Sequence, residues 1–298
     1  MKSGKHARSA KQPQAHRTLQ HFIALQDFYE SIFGDCNIHF PLWLPDTKNA
    51  AMGVANSNRL LADTCKVRRG QTVLDAGCGL GGSAFWLAEN RGVEVVAISP
   101  VEPNIKRCRQ LAALRQLDHL IQFHVLDFMS EPFQSDTFDA VWNIESFIYA
   151  FPKESYIRDT YRILKPGGTW ACLDAFIPGD LGPNSAPGTL LSRINKGFAL
   201  TDAHWESLSQ VRLNMRHTGF CKIHWKDLTS YLLGAPRWPY AFALARSLLN
   251  GKDLLAHPEL YRLRLNAFVA TYAIFRLMQR KAVAYGLLVG QKPASRAT

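Results

Sequence analysis

The sequence predicts an α/β protein: a doubly wound, mostly parallel sheet, with a helical segment before it and a helical insertion after its fifth strand. Three observations carry this. Short apolar runs alternate with helical segments between residues 72 and 176. The first of those runs ends in a glycine-rich turn, VLDAGCGLGG (73–82), with a helix following it. The chain has 298 residues, 47% of them hydrophobic, enough for a large core in one or two domains.

Taken in order, residues 1–20 hold five Lys or Arg and no acid, which predicts a disordered, solvated basic tail. Residues 21–66 read as a helical segment, with Phe22, Leu25, Phe28, Ile32 and Phe33 at helical spacing. The core follows over 67–180. TVLDAGC (72–78) is a short apolar run that predicts a buried strand. GGSAFWLAENRG (81–92) predicts a helix closed by Gly92. VEVVAIS (93–99) is the second strand, and EPNIKRCRQLAALRQL (102–117) is a helix with Pro103 suited to its first turn. IQFHVLD (121–127), FDAVWNI (138–144) and TWACLDAF (169–176) are three more strands. Between the last two, KESYIRDTYRILKPGG (153–168) predicts a helix stopped by Pro-Gly-Gly. IPGDLGPNSAPG (177–188) is a loop leaving the sheet. Residues 181–298 are expected to supply a helical cap and the final strands. Helices are predicted over 201–220, ending at Gly219, over 239–249 and over 258–286. Strands are predicted at CKIHWKDLT (221–229) and YGLLVGQKP (285–293).

The net charge of +11 is unevenly spread. Residues 21–192 hold 14 bases and 19 acids, whereas residues 193–298 hold 16 bases and five acids. A basic third suits an anionic ligand, a membrane surface or a nucleic acid, and equally a solvated face. No RNA-binding motif or stacking platform accompanies it, which argues against a nucleic-acid partner. The six cysteines show no metal-binding spacing and read as reduced thiols, so no protein-bound metal is expected. No apolar run reaches the roughly 18 residues of a membrane span, and the N-terminus lacks an apolar signal core. The expectation is a cytoplasmic protein, compatible with a homo-oligomer. The apolar, Arg-flanked helix near 265–281 would cover a greasy pocket or make a peripheral membrane contact.

Two motifs narrow the function. Asp75, Gly77, Gly79 and Gly81 form D-x-G-x-G-x-G, and LKPGG (164–168) precedes the fifth strand. Together they resemble the class I S-adenosylmethionine-dependent methyltransferases, which implies a Rossmann-like sheet and that cofactor. A nicotinamide enzyme is the main rival for the glycine turn, but it usually places an acid at the end of strand two. Here that stretch is AISPVEP, with Ala97 and no acid. Methyltransferases commonly carry an acid there too. AISPVEP looks like the T-L-S-P type segment of the branch holding tocopherol, sterol C-24, cyclopropane-forming and terpenoid C-methyltransferases. The resemblance implies that Asp75 anchors the turn and the methionine end of the cofactor, with Gly77 and Gly79 allowing close approach. It implies Ile98 and Ser99 beside the ribose and adenine, Asp127 on the adenine amino group and Phe128 against the ring. Asn143 would lie near the methionine part. For Asp127 the alternative is a helix cap ahead of FMSEPF.

DFYESIFGDCNIHF (27–40) is similar to the aromatic segment that forms a lid in sterol and tocopherol enzymes, so Tyr29, Phe33 and His39 are expected to face the pocket. Ordinary amphipathic packing is the alternative, and His39 is equally a structural histidine. NIESFIYAFP (143–152) places one acid, Glu145, in apolar company just past strand four, where ligands bind in such sheets. It could bind a substrate amine or hydroxyl, act as a base, stabilise a cation, or sit as a junction residue. WNIESFIY resembles the segment of terpenoid diphosphate C-methyltransferases, which implies methylation of an isoprenoid alkene. Tyr29, Phe33, Phe147, Tyr149 and Phe151 would then supply rings around the cation, with Tyr149, Tyr29 and His39 beside Glu145 in catalysis. Arg193, Lys196, Arg212, Arg216 and Lys226 are candidate diphosphate ligands, with Mg2+ as a candidate bridging ion. O- or N-methylation of a phenolic or amine metabolite is the alternative activity.

Overall fold

A computed structural model describes residues 18–26, 36–130, 132–178, 188–201, 204–234 and 257–294. Seven strands form one sheet: β1 (Thr72–Ala76), β2 (Glu94–Ser99), β3 (Ile121–Val125), β4 (Phe138–Ile144), β5 (Leu164–Phe176), β6 (Cys221–Asp227) and β7 (Ala284–Gln291). Their spatial order is β3-β2-β1-β4-β5-β7-β6. All pairings from β3 to β5 are parallel, and β7 runs antiparallel to both β5 and β6. The order reverses between β1 and β4, where an open α/β sheet leaves a crevice at its strand C-termini. Because β7 runs the other way, its first residues lie at that same edge: Ala284 pairs with Phe176 and Tyr285 with Ala175.

The helices, in chain order, are α1 (18–26), α2 (Ala50–Cys65), α3 (Gly82–Arg91), α4 (Glu102–Leu114), α5 (Lys153–Ile163), α6 (Gly188–Gly197), α7 (Leu208–Thr218), α8 (Thr229–Leu233) and α9 (Pro258–Gln279). Alternation along the strands splits the core between the two faces of the sheet. Val73, Ala97, Trp142 and Leu173 pack with residues of α3, α4, α6 and α9 and with the segment that carries Phe40 and Leu42. Leu74, Ile98, Val141 and Cys172 pack with α5 and α7. The cap joins the first of these faces. A Cβ on Gly197 of α6 would lie 2.2 Å from the Ala270 Cβ of α9, so these two helices cross with their backbones close together.

Several boundaries differ from the sequence reading: the helix expected over 258–286 ends at Gln279, because 284–286 already pair in β7, and the strand expected to 229 ends at Asp227. Pro-Gly-Gly does not stop α5. Leu164 is already extended, and 164–168 belongs to β5 with a register shift between Phe138 and Ala140 of the neighbouring strand. Pro166 has no N–H to donate and Gly167 has φ +82°, which suits an irregular strand start rather than a helix end. The helix expected from 201 begins only at Leu208. Ser207 is its cap, accepting from the Gln210 N–H, while Thr201 and His204 bond to each other 2.8 Å apart. The strand expected to reach Asp127 ends at Val125. The helix expected over 239–249 and the tail over 1–17 lie outside the described residues.

Candidate active site

The turn after β1 is the first component of the site. Gly77, Gly79 and Gly81 all have positive φ, at 101°, 54° and 87°. The Gly77 and Cys78 N–H groups donate to the Ile98 carbonyl at 3.0 and 2.9 Å, which fixes the turn against β2. The Gly82 N–H at the start of α3 donates to the Cys36 carbonyl at 2.9 Å. A Cβ on Gly77 would lie 2.4 Å from the Ser146 Cβ, and one on Gly79 would lie 2.6 Å from the Ile38 Cδ1. Protein therefore fills that side of both glycines, and a ligand meets the turn from another side.

Asp75, on β1, is 2% exposed. Its buried Oδ2 and the buried Nε1 of the adjacent Trp142 fall short of a well-formed hydrogen bond with each other and have no other described partner. Burial pushes the Asp75 carboxyl up to about 7, with the adjacent Trp142 indole holding the rise down. A buried acceptor without a well-formed hydrogen bond costs free energy that a donor on a ligand would recover. Asp127 is a cap, its Oδ1 accepting the Met129 N–H at 2.9 Å. Phe128 lies beside the turn, with Cε1 3.8 Å from a Cβ placed on Gly77, and stacks edge-on against Tyr156. Ser99 is buried and its hydroxyl accepts the Val101 N–H at 3.3 Å.

Asn143 lies near the end of β4 and is hydrogen-bonded within the protein. It is fully buried and its side-chain amide is used up inside the protein. The NH2 group donates to the Ala76 carbonyl and to the Ser146 hydroxyl, at 2.8 and 2.9 Å. The oxygen accepts from the Tyr156 hydroxyl and the Trp170 indole, at 2.7 and 2.9 Å. Two donors and two acceptors are the whole capacity of an asparagine amide, so Asn143 ties β4 to its neighbours with no hydrogen bond left over.

Glu145 follows β4 with φ +52°, a strained conformation for a side chain of this size. Its Oε1 accepts the Phe40 N–H and the Tyr285 hydroxyl, each at 2.8 Å. Oε2 has no hydrogen-bond partner among the described residues. Burial pushes the carboxyl up to about 8; the two hydrogen bonds oppose the rise and the charge of Asp174 adds to it. Asp174, on β5, accepts the Ile148 N–H at 2.9 Å, and burial raises it to about 6. Lys153 lies behind, donating to the carbonyls of Phe147, Ile148 and Ala150, and burial lowers it to about 8.

The rings around Glu145 differ from those expected. Phe147 is buried on the opposite face with Trp170 and Phe176, and the cation over it is the Lys153 ammonium, at 4.5 Å. Phe151 is 42% exposed. Tyr149 does face the lid side, edge-on to Phe22, but its hydroxyl donates to the Phe198 carbonyl at 3.0 Å. Phe40 packs edge-on against Phe275 of α9, and Tyr285 belongs to the same core cluster. Tyr29 and Phe33 lie outside the described residues. His39 is 5% exposed; its Nδ1 lies 3.3 Å from the Phe40 carbonyl and its Nε2 has no partner. Burial lowers its pKa to about 4, so the ring is neutral at neutral pH. The candidate anion ligands do not converge. Arg193 and Lys196 are on α6, Arg212 and Arg216 on α7 across the sheet, and Lys226 on the edge strand.

Sequence reasoning missed Phe40, Phe275, Tyr285, Asp174 and Lys153. Asp174 carried the signal that exposed Glu145, an acid within an apolar run (CLDAF). Tyr285 carried none, because its partner lies 140 positions away.

Residues 74–172 match the family model described as a methyltransferase domain. The glycine turn, the buried Asp75 and the seven-strand order all lie in or around that span. Residues 74–172 are a methyltransferase domain, set in the sheet of the class I S-adenosylmethionine-dependent methyltransferases. It is 30% identical over 242 residues to sterol 24-C-methyltransferase of Pneumocystis carinii, covering 80% of this chain and 63% of that one. It thus spans less than two thirds of the sterol enzyme's length. Tocopherol O-methyltransferase of Arabidopsis thaliana is 27% identical, covering 89% of this chain and 78% of that protein. Among solved structures, the [4+2]-cyclase SpnF has a TM-score of 0.71 at 22% identity, covering 93% of this chain and 95% of that one. Geranyl diphosphate C-methyltransferase from Streptomyces coelicolor A3(2) has a TM-score of 0.67 at 19% identity, covering 89% and 92%. At these identities the two structures share the methyltransferase's fold. The buried Asp75 oxygen, short of a well-formed hydrogen bond, and the positive-φ turn at the crevice fit the family's cofactor.

Proposed function

We propose that this methyltransferase adds a methyl group to an alkene carbon of an isoprenoid, most concretely a prenyl diphosphate, with Glu145 as the base. The observation that carries the reading is the Glu145 carboxyl: one oxygen is anchored by the Phe40 N–H and the Tyr285 hydroxyl, the other has no described partner, and both anchoring residues belong to the apolar core. When bound, S-adenosylmethionine supplies an electrophilic methyl group. Asp75 would accept a donor from its methionine end, and Ile98, Ser99, Asp127 and Phe128 would line the nucleoside side. The alkene π electrons would form the new carbon–carbon bond as the methyl–sulfur bond breaks, its electron pair staying on sulfur as a neutral thioether, and would leave a positive charge on the neighbouring alkene carbon. Glu145 Oε2 takes a proton from the adjoining carbon, and the C–H electrons restore the double bond. Phe40, Phe275 and Tyr149 would exclude water and present electron-rich faces or edges to the cationic carbon.

The diphosphate rests on the 16 bases against five acids in residues 193–298 and on the likeness in fold to the geranyl diphosphate enzyme. Among the described residues no cluster of His, Cys, Asp or Glu could hold a metal ion. A magnesium ion would therefore arrive with the diphosphate. A phenolic acceptor is the second reading, favoured by the tocopherol O-methyltransferase relative, since a carboxyl raised to about 8 can also deprotonate a phenol. The test is incubation with labelled cofactor and matched prenyl diphosphates, prenyl alcohols and phenols. Transfer to a prenyl diphosphate with little on the alcohol supports the first reading, and transfer to phenol oxygen supports the second.

A further inference from the structure

We propose that Tyr285 is a positioning residue that holds the Glu145 carboxyl so that Oε2, and not Oε1, receives the substrate proton. This rests on the reading of Glu145 as the base. Tyr285 is 1% exposed at the start of β7, and its hydroxyl has Glu145 Oε1 as acceptor at 2.8 Å. The sheet topology makes this meeting possible, because β7 is the antiparallel strand and begins at the edge where β4 and β5 end. The second bond to Oε1 comes from the Phe40 N–H of the lid segment. One oxygen therefore receives both donors, one from the sheet and one from the lid, and the carboxyl cannot rotate without breaking both. A strained φ at Glu145 is sustained by the same pair of contacts.

Donation to a carboxylate favours its charged form. The groups that face Glu145 are Tyr285 from β7, the Phe40 N–H from the lid and Asp174 from β5, whose charge works against ionisation. Lys153 of α5 acts on Asp174 and not directly on Glu145. His39, next to Phe40, is neutral. Weakening the Tyr285 donor should therefore make Glu145 harder to ionise, and strengthening it should do the reverse.

The experiment compares Tyr285→Phe with fluorotyrosine at position 285, which keeps the ring and strengthens the donor, in the full chain. The Glu145 carboxyl is titrated by infrared difference spectroscopy against Glu145→Gln, and turnover is measured across pH. The expected result is a titration moved up in pH by Tyr285→Phe and down by fluorotyrosine. In turnover, kcat should fall about tenfold in Tyr285→Phe with KM near wild type. In a Glu145→Gln background, Tyr285→Phe should have little further effect. An unmoved titration in both variants overturns the proposal, as does an equal loss with and without Glu145. If Tyr285→Phe does not fold, the isosteric fluorotyrosine titration decides alone. If no acceptor is methylated by the wild-type protein, the functional reading fails while the infrared titration still tests the contact.

Discussion

Glu145 gathers an αL backbone, two donors on one oxygen and a carboxyl raised to about 8. A base must be ionised to act, so kcat/KM should climb with pH to a plateau, with its midpoint near 8 in the free enzyme. Glu145→Gln should lose that limb and fall about a hundredfold, on the order of 3 kcal/mol, while its affinity for S-adenosylhomocysteine stays unchanged. Calorimetry and a pH–rate profile check both; a retained limb assigns the ionisation elsewhere. The same carboxyl bears on stability. Its pKa is higher folded than the ordinary 4.5, so the folded state holds the proton more tightly. That contribution is whole below about 4.5 and is lost as pH rises through about 8. Glu145→Gln should flatten this decline and be the more stable protein at pH 9, which urea unfolding across pH would detect.

The glycine turn and the 147–150 turn hold the site in place. Gly77→Ala meets both a φ of +101° and the Ser146 Cβ at 2.4 Å, and should cost about 2–3 kcal/mol. A thermal melt would show the loss. Lys153→Met removes three donors from the carbonyls of Phe147, Ile148 and Ala150 and takes the charge from beside Asp174. It should destabilise the protein by about 2–3 kcal/mol despite the relief of burying a charge. These two turns also mark what the sequence could carry. All seven strands were legible, most as apolar runs bounded by turn residues and β6 (CKIHWKD) as an alternating one. The glycine turn and Glu145 stood out for local reasons, a motif and an acid in apolar company. The hydrogen bonds of Asn143, near the end of β4, were not legible, because its partners come from other parts of the chain. The start of α7 was misplaced because Asp202 and Thr201 are as cap-like in sequence as Ser207, and only tertiary pairing of Ser207 with Ile177 decides between them.

At the scale of the whole molecule, the segment that carries Phe40 joins α6 and α9 in the core on one face of the sheet, where Phe40 meets Phe275 edge-on. That contact was invisible in sequence because it joins residues 235 positions apart. Among the described residues of the basic last third, the candidate anion ligands lie on three separate elements, α6, α7 and β6. If that third recruits a diphosphate through its field, raising salt should weaken acceptor binding more than cofactor binding, as titrations at two ionic strengths would reveal. Equal sensitivity would favour a neutral acceptor. The most direct test of the account is to supply a cofactor with a trideuterated methyl group together with prenyl diphosphates and to locate the label by nuclear magnetic resonance. The account predicts an intact trideuteromethyl group on a former alkene carbon and the loss of one hydrogen from the adjoining carbon. A label on oxygen or nitrogen, or bound cofactor with no transfer to carbon, would contradict it.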